Sequence, residues 1–349
     1  MVYENRTFTL FLILLNLALI SLTALFSLGK FDLFLKQLIF WLIGFLLFFS
    51  FKIIDYRLIF NKFYFYLLII LSFFLLILVL FTPGKIKSWF HLGPISFQPT
   101  EFAKISLFLI LTNFLSYYAK HLKKIFYLAL SFFLVLPYLF LIYLQPDMGM
   151  AFLYFLIWFF AIIFFLPRKL LFFLLIVFLI FGLVLWVFVL KDYQKKRITS
   201  FLFSSGDPLK TDYNLRQIRI ALASTNFFGK GVGYSDLGKF GLLPSASTDF
   251  ILTFIIEERG YFGFLIYSLL IFLLINELYH LYFFSKEYLV KNFTYLVIIY
   301  FLVKYCLTSF INFGAFPIIG LPPAFISYGG SHLIFDLWLL GIVSSFGEK

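Results

Sequence analysis

The sequence predicts an all-α polytopic membrane protein, with about ten transmembrane helices and one large extracytoplasmic loop. Hydrophobic side chains make up 63% of the 349 residues and charged ones only 13%, which is far from the composition of soluble globular domains. The polar residues fall between apolar runs, and each run approaches the roughly 20 residues that a helix needs to cross a bilayer. Composition and spacing together therefore exclude a soluble protein.

The apolar runs define the predicted helices and the organisation of the chain. In order they lie near 7–28, 32–51, 63–82, 101–119, 125–144, 148–166, 169–190, 249–276, 293–313 and 325–346. The one long polar stretch, 191–248, lies between the seventh and eighth helices, so we predict a single membrane domain over 1–349 with 191–248 as its extracytoplasmic loop. Within that loop, Asn214 to Ser224 has helical apolar spacing, which predicts a short amphipathic helix at the membrane surface.

The charges and reactive side chains exclude several classes of function. The net charge of +12 comes largely from Lys and Arg in short clusters beside apolar runs. Such clusters set topology and attract anionic lipids, so we expect membrane lipids and no nucleic acid as partners. Their distribution places both termini in the cytoplasm, because the long loop can translocate with less regard to charge. With only Cys306 and four scattered histidines, neither a disulfide nor a metal-binding pattern is present.

Asp249 begins an apolar run and is the strongest candidate for chemistry. It is either a carboxylate that caps a helix or a general base in a partly desolvated cavity, where its pKa is raised. Glu257, Glu258 and Arg259 follow two turns later. Because charges within a span need a partner or an aqueous cavity, this cluster favours a cavity beside Asp249.

Four further features of the sequence have a structural interpretation, and three of them also have a functional one. Lys104 lies three residues after Glu101, so it either pairs with Glu101 within one helix or lines a polar cavity and holds a phosphate. Asp147 is expected to cap the next helix. The glycines at 229, 231 and 233 either make turns or give flexibility near a bulky substrate. Residues Pro317 to Ser331 form an irregular segment that is either a structural re-entrant loop or a cavity lining.

Six ordered motifs resemble one family over nearly the whole chain. They are FQPTEFAK from Phe97, QPDMG from Gln145, DPL from Asp207, GKG with LPSASTDFI from Gly229 and Leu243, EERGYFG from Glu257, and GLPPAFISYGGS from Gly320. Together they resemble the SEDS family (shape, elongation, division, sporulation) of bacterial cell-wall proteins. The GKG-to-LP spacing and Pro322 are similar to the elongation branch, RodA, more than to the division branch, FtsW.

The resemblance implies a peptidoglycan glycosyltransferase of the bacterial inner membrane that polymerises lipid II into glycan strands on an undecaprenyl carrier. It implies a class B penicillin-binding protein as the partner that crosslinks the product. The essential aspartate of the family falls on Asp249, and its further functional residues fall on Lys104, Glu101 and Trp89. Gln98 and Ser327, in the same motifs, are further predicted substrate contacts.

The implied mechanism is an inverting transfer in which Asp249 removes the proton of the acceptor hydroxyl. The leaving group is undecaprenyl pyrophosphate, whose growing charge needs cations nearby. Candidates are Lys104, a divalent cation such as Mg²⁺ or Mn²⁺, and the loop residues Lys196, Arg197, Arg216 and Arg219.

Three positions depart from the family pattern, and two rival functions remain open. Ser88 stands where an arginine is usual, and Ser245 and Ser247 replace a glutamate and a histidine. A flippase for lipid-linked sugars would also use broken helices and intramembrane charges. A noncatalytic scaffold of the cell-wall synthesis complex would leave Asp249 dispensable.

Overall fold

A computed structural model describes residues 4–83, 87–93, 95–117, 123–163, 166–172, 174, 182, 186–187, 192–203 and 213–346. Within them the chain is almost entirely helical, which confirms the predicted fold class. Six helices are long and apolar enough to cross a membrane, and two shorter apolar helices accompany them. A predicted seventh span at 169–190 lies largely outside the described residues.

Among the described residues, the first half of the chain has seven α-helices and a small hairpin. The helices are α1 (Glu4–Ser27), α2 (Phe31–Ile53), α3 (Arg57–Phe60), α4 (Lys62–Leu78), α5 (Pro99–Tyr117), α6 (Lys124–Leu144) and α7 (Met148–Ile163). Strands β1 (Phe90–Leu92) and β2 (Ile95–Phe97) pair antiparallel between α4 and α5, with Phe90 opposite Phe97. The observed bounds lie within a few residues of the predicted runs, because long apolar runs and helix ends are local signals.

The second half supplies the loop and the last three spans. Three short helices lie in the loop region: α8 (Asp192–Phe203), α9 (Tyr213–Ala223) and α10 (Asp236–Lys239). The spans are α11 (Ile251–Phe284), α12 (Tyr288–Asn312) and α13 (Gly330–Ser345). The α9 helix confirms the predicted amphipathic segment, since it buries Leu215, Ile218 and Ala221 and exposes the other face.

Two helix boundaries differ from the sequence-based expectation. The last span begins at Gly330 rather than near 325, because residues 313–329 form an irregular loop whose polar groups are held by neighbouring helices. The eighth predicted span extends eight residues beyond its expected end and contains a break at Gly260, where φ is 72° and ψ is −173°. Glycine tolerates this positive φ, which other residues adopt at a cost.

The core is formed by α5, α12 and α13, with α2 packed along α13 and α7 against α12. Fifteen side chains of α5 are buried, including Glu101 and Lys104. The outward faces of α1, α2, α4 and α6 carry many exposed Phe, Leu and Ile side chains, as expected for surfaces in contact with lipid. The charged residues of α5 are therefore enclosed by other helices.

Candidate active site

The backbone around Asp249 is held by a side chain from a different helix. Asn312, the last residue of α12, donates its Nδ2 hydrogen to the Asp249 carbonyl oxygen at 2.9 Å. The Oδ1 atom of Asn312 accepts the backbone N–H of Thr253 at 3.0 Å. The cap position of α11 is Phe250, so the helix-cap interpretation of Asp249 is wrong. Its half-buried carboxylate is placed just before the helix by Asn312.

Asp147 lies in the turn between α6 and α7, and its carboxylate has two polar contacts. Its Oδ1 atom accepts the Met150 backbone N–H at 3.1 Å, which confirms the predicted cap. Its Oδ2 atom accepts the Gln98 side-chain amide at 2.7 Å. Burial raises the pKa of Asp147 to about 6, against the Met150 hydrogen bond that lowers it, and the charges of Glu101 and Asp249 raise it further. The three carboxylates therefore influence one another electrostatically.

The irregular loop 313–329 brings the segments of Asp147 and Asp249 together. A Cβ atom added to Gly149 would lie 2.7 Å from the Ile319 carbonyl oxygen, so the backbones of α7 and the loop touch here. A Cβ atom added to Gly320 would lie 3.9 Å from Oδ2 of Asp249. Gly320 thus lies beside both segments, and the loop borders the carboxylates as a cavity lining would.

Lys104 lies in a fully buried cluster of charged groups between α5, α12 and α13. Its ammonium donates to Glu101 Oε2 at 2.8 Å, to the Tyr300 hydroxyl at 2.8 Å and to Asp336 Oδ1 at 2.6 Å. The predicted Glu101–Lys104 pair within α5 is confirmed. Because an ammonium has three hydrogens, every donor of Lys104 has a protein acceptor.

Lys304 completes this cluster, and the sequence reasoning missed it together with Asp336 and Tyr300. Its ammonium lies 3.0 Å from Asp336 Oδ2 and donates to the Tyr300 hydroxyl at 3.0 Å. The two lysines and two acids, with Glu101 as the second acid, balance in charge, as buried ions require. The detectable signal was a charge inside each of two predicted spans. We name Glu101, Lys104, Tyr300, Lys304 and Asp336 the buried charge cluster.

Gln98 and Ser327, two predicted substrate contacts, are both held by hydrogen bonds within the protein. The Gln98 backbone N–H donates to Ser331 Oγ at 3.1 Å, while its side chain holds Asp147. Ser327 is buried and donates to the Pro323 carbonyl oxygen at 2.6 Å, and its oxygen lies 3.0 Å from Nε2 of His332. These hydrogen bonds fix the positions of both side chains within the protein. Their predicted contacts with substrate stay predictions.

Trp89 and Ser88 immediately precede the hairpin at the entrance to α5. Trp89 is half-buried, whereas Ser88 is buried at 3% exposure. The hairpin is joined to α13 because Ser331 Oγ donates to the Ser96 carbonyl oxygen at 3.2 Å. The pair therefore lies on the face of the bundle that also carries the irregular loop.

The predicted basic residues of the long loop fall into two groups. Arg216 and Arg219 lie exposed on α9, and Cγ of Arg219 is 3.7 Å from the position of a Cβ atom added to Gly314. The α9 helix therefore packs at the start of the irregular loop, and both of its arginines are exposed. Lys196 and Arg197 lie on α8, and their side chains are outside the described part of the structure.

Glu257 and Glu258 are enclosed by groups of the loop segment and of α1, so they have the protein partners that charges within a span need. The Glu257 carboxylate accepts Lys230 Nζ at 2.7 Å, the Leu237 backbone N–H at 3.1 Å and the Ser235 hydroxyl. Glu258 accepts the Gly233 backbone N–H at 2.6 Å and the Ser27 hydroxyl at 3.0 Å. Both acids are buried because the glycine-containing segment folds over them.

The glycines of that segment serve the break in α11. The backbone of Phe227 to Gly229 lies directly against Gly260. A Cβ atom added to Gly260 would lie 2.1 Å from the Phe227 carbonyl oxygen and 2.4 Å from the Gly229 backbone nitrogen. The carbonyl oxygens of Glu257 and Glu258, which the break frees, accept the backbone N–H groups of Lys230 and Gly231 at 2.9 Å each. Close backbone approach therefore explains Gly229, and the positive φ values of Gly231 and Gly233, 102° and 81°, agree with the turn-making interpretation.

Comparisons with known proteins identify the family of this chain. The family model of the cell cycle proteins FtsW, RodA and SpoVE matches residues 4–348. A probable peptidoglycan glycosyltransferase FtsW of Wigglesworthia glossinidia brevipalpis is 32% identical over 79% of this chain and 74% of its own. The peptidoglycan glycosyltransferase MrdB of Escherichia coli K12 is 30% identical over 74% of this chain and 70% of its own.

The fold is shared with a solved structure of a peptidoglycan synthase complex that coordinates polymerization and crosslinking. One of its chains superimposes with a TM-score of 0.82 at 26% identity, covering 97% of this chain and 96% of that chain. The match therefore spans the bundle, the irregular loop and the buried charge cluster. The chain belongs to the SEDS family, the FtsW, RodA and SpoVE proteins, and is a multi-pass membrane protein.

Proposed function

We propose that this chain, a peptidoglycan glycosyltransferase, polymerises lipid II into glycan strands with Asp249 as the general base. The observation that carries the proposal is the placement of Asp249. Its backbone is fixed by Asn312, and its half-buried carboxylate faces Gly320 beside a second acid, Asp147. A carboxylate that is held in place and partly desolvated is suited to accept a proton.

The transfer forms one glycosidic bond and breaks one bond to phosphate. Asp249 takes the proton of the C4 hydroxyl on the lipid II acceptor sugar as that oxygen attacks the anomeric carbon of the growing chain. The bond from this carbon to the undecaprenyl pyrophosphate breaks with inversion, and the electron pair leaves on the phosphate oxygen. Holding two lipid-bound substrates at one membrane face lowers the entropy cost of their encounter.

We propose that cations on α9 stabilise the pyrophosphate as its charge grows. Arg216 and Arg219 are exposed, and α9 packs against the loop that borders Asp249. Guanidinium groups bind phosphate oxygens with two hydrogen bonds. Lys196 and Arg197 are proposed to assist from α8. A direct contact between Lys104 and phosphate requires the release of one of its three protein acceptors, so we assign Lys104 a positioning role first.

A divalent cation is a second proposed source of positive charge. No group of three or more His, Cys, Asp or Glu side chains with metal-binding spacing occurs among the residues that the structure describes. Mg²⁺ is commonly bound by one or two carboxylates together with substrate phosphates. Asp147 and Asp249 fit that requirement once a pyrophosphate is present, and the ion would supply charge stabilisation there. Loss of polymerisation on chelation and its return with Mg²⁺ or Mn²⁺ would test this role.

The proposed partner is a class B penicillin-binding protein, and the proposed branch is cell elongation. The solved chain that superimposes on this protein with a TM-score of 0.82 belongs to a synthase complex that coordinates polymerization and crosslinking. This similarity supports a crosslinking partner. The GKG-to-LP spacing and Pro322 support the elongation branch. We propose that both termini are cytoplasmic, so that Asp249 faces the cell exterior.

The proposal is tested by glycan formation from labelled lipid II in proteoliposomes, with and without the penicillin-binding protein. Asp249→Asn keeps the shape of the side chain and removes the base, so we expect a loss of about 100-fold or more. Asp32→Asn is the matched control, since Asp32 is an exposed aspartate in the first turn of α2. Equal polymer from a folded Asp249→Asn protein would remove the base assignment, and lipid II translocation without any polymer would indicate a flippase.

A further inference from the structure

The segment from Thr225 to Gly238 presents aromatic and aliphatic side chains outward. Phe227, Phe228, Val232 and Tyr234 are exposed, Phe228 by 71%. The two phenylalanine rings lie 5.1 Å apart, and both lie beside the ring of Phe262 on α11, at 6.3 and 6.0 Å. We name these four residues and Phe262 the aromatic face. In an aqueous loop, this many exposed apolar side chains would be costly.

The aromatic face continues the lipid-facing surface of α11. Phe262 is followed on the same side of that helix by Leu265, Leu269 and Phe272, all of them exposed. The spacing of three, seven and ten residues keeps these side chains on one helical face. Phe227 and Phe228 therefore extend the lipid-contacting surface beyond the end of the helix and onto the loop.

The cation of this segment, Lys230, is bound by two acids. Lys230 contacts Glu257 at 2.7 Å and Asp236 at 2.6 Å. Its ammonium is therefore held by the buried Glu257 and by Asp236, whose side chain is half-exposed. On α11, Arg259 donates to the Thr23 hydroxyl of α1 at 2.8 Å. The outward surface is left without an ion among its five members, and this matches hydrocarbon better than a charged protein partner.

The segment is attached firmly to α11 through its backbone. Phe262 donates its backbone N–H to the Phe227 carbonyl oxygen at 3.0 Å, just after the break at Gly260. The Thr225 hydroxyl donates to the Glu257 carbonyl oxygen at 3.1 Å. The rings of Phe227 and Phe228 are consequently fixed next to a helix that already spans the bilayer.

From this continuity we propose that the aromatic face lies in the bilayer, in the leaflet that surrounds the adjoining end of α11. Phe227 and Phe228 enter the acyl-chain region, and Tyr234 lies nearer the headgroups, where tyrosine is favoured. The bilayer would then restrain the segment whose backbone N–H groups bind the carbonyl oxygens at the break in α11. Since α11 begins just after Asp249, the lipid contact would restrain the segment that follows the proposed base. The membrane contact itself is independent of the proposed reaction.

The proposal is tested by spin labelling of the full chain in vesicles of phosphatidylethanolamine and phosphatidylglycerol. Cys306, which is exposed, is first replaced by alanine, and single cysteines are placed at Phe228, Val232, Leu269 and His91. Leu269→Cys is the lipid reference, because Leu269 is exposed on a spanning helix. His91→Cys is the aqueous reference, on the exposed hairpin. The labels' collision rates with oxygen and with a polar nickel chelate are then compared.

We expect labels at 228 and 232 to collide with oxygen in preference to the nickel chelate, as the label at 269 does. The expected ratio of the two rates is severalfold higher than at His91. A ratio at both sites equal to that at His91 would place the face in water and overturn the proposal. Shielding of both labels from both reagents would mean that protein covers the face, and it would overturn the proposal equally. Label 232 decides the matter if Phe228→Cys fails to fold.

Discussion

The buried charge cluster and the carboxylates of Asp147 and Asp249 differ in burial and in ion pairing. In the cluster, the lysines and acids are buried and each ammonium is bound by acceptors from two or three helices. Asp147 and Asp249 are half-buried beside an irregular loop. Ions that are fully paired resist any change in their protonation or position. The comparison therefore favours a structural role for the cluster and supports the proposed chemical role of Asp249, with Asp147 beside it.

The two regions are nevertheless connected through α5. Glu101 belongs to the buried charge cluster, and its charge also contributes to the raised pKa of Asp147. Gln98, just before α5, holds Asp147 directly. The neutralised cluster therefore holds α5 in place beside the carboxylates. Three predictions test whether the cluster and the carboxylates have separate roles.

The largest expected effect is on the stability of the cluster. Asp336→Asn leaves two buried lysines with one acid, and breaking a buried ion pair costs about 3–5 kcal/mol, so the thermal midpoint in detergent should fall steeply. Asp336→Asn combined with Lys304→Met restores the charge balance and should recover most of that loss. Normal polymerisation by the recovered double variant supports a structural cluster. A recovered midpoint with low polymerisation would mean that Lys104 acts on substrate, and an unchanged midpoint in the single variant would break the comparison.

A pH-dependent effect is expected from Asp147. Its pKa in the folded protein is about 6, raised above the ordinary value of 3.8 by burial. The folded state therefore binds the proton more tightly than the unfolded state, and stability falls as pH rises from about 4 to about 6. The full effect is at most about 3 kcal/mol, from roughly two pKa units at 1.4 kcal/mol each. Thermal midpoints of wild type and Asp147→Asn across this window measure it, and parallel curves would refute the raised pKa.

The smallest expected effect on stability is that of Asn312→Ala. It removes the hydrogen bonds from Asn312 to the Asp249 carbonyl oxygen and from the Thr253 backbone N–H, at a cost of about 1–2 kcal/mol. Polymerisation should fall more than stability, because Asp249, the proposed base, loses the hydrogen bond that fixes its backbone, and kcat should change more than KM. Asn113→Ala is a suitable control, since Asn113 bonds only within α5 in the described contacts. Equal losses in both variants would mean that Asn312 is structural alone.

The sequence by itself determined the features that depend on neighbours along the chain. The spans follow from apolar runs, and the amphipathic α9 follows from its helical period. The Glu101–Lys104 pair and the Asp147 cap join residues three positions apart, a distance that local geometry sets. The ordered motifs likewise identified the family that the comparisons support.

Only the tertiary structure decided which distant groups meet. Lys104 and Asp336 lie 232 positions apart, Asn312 and Asp249 63, and Lys230 and Glu257 27. Their contacts depend on the rotation of each helix and on the path of the loops, which apolar periodicity leaves unspecified because a membrane helix here is apolar on most sides. The break at Gly260 also depends on a distant contact. A glycine within a span becomes a break here because the Phe227 backbone packs against it.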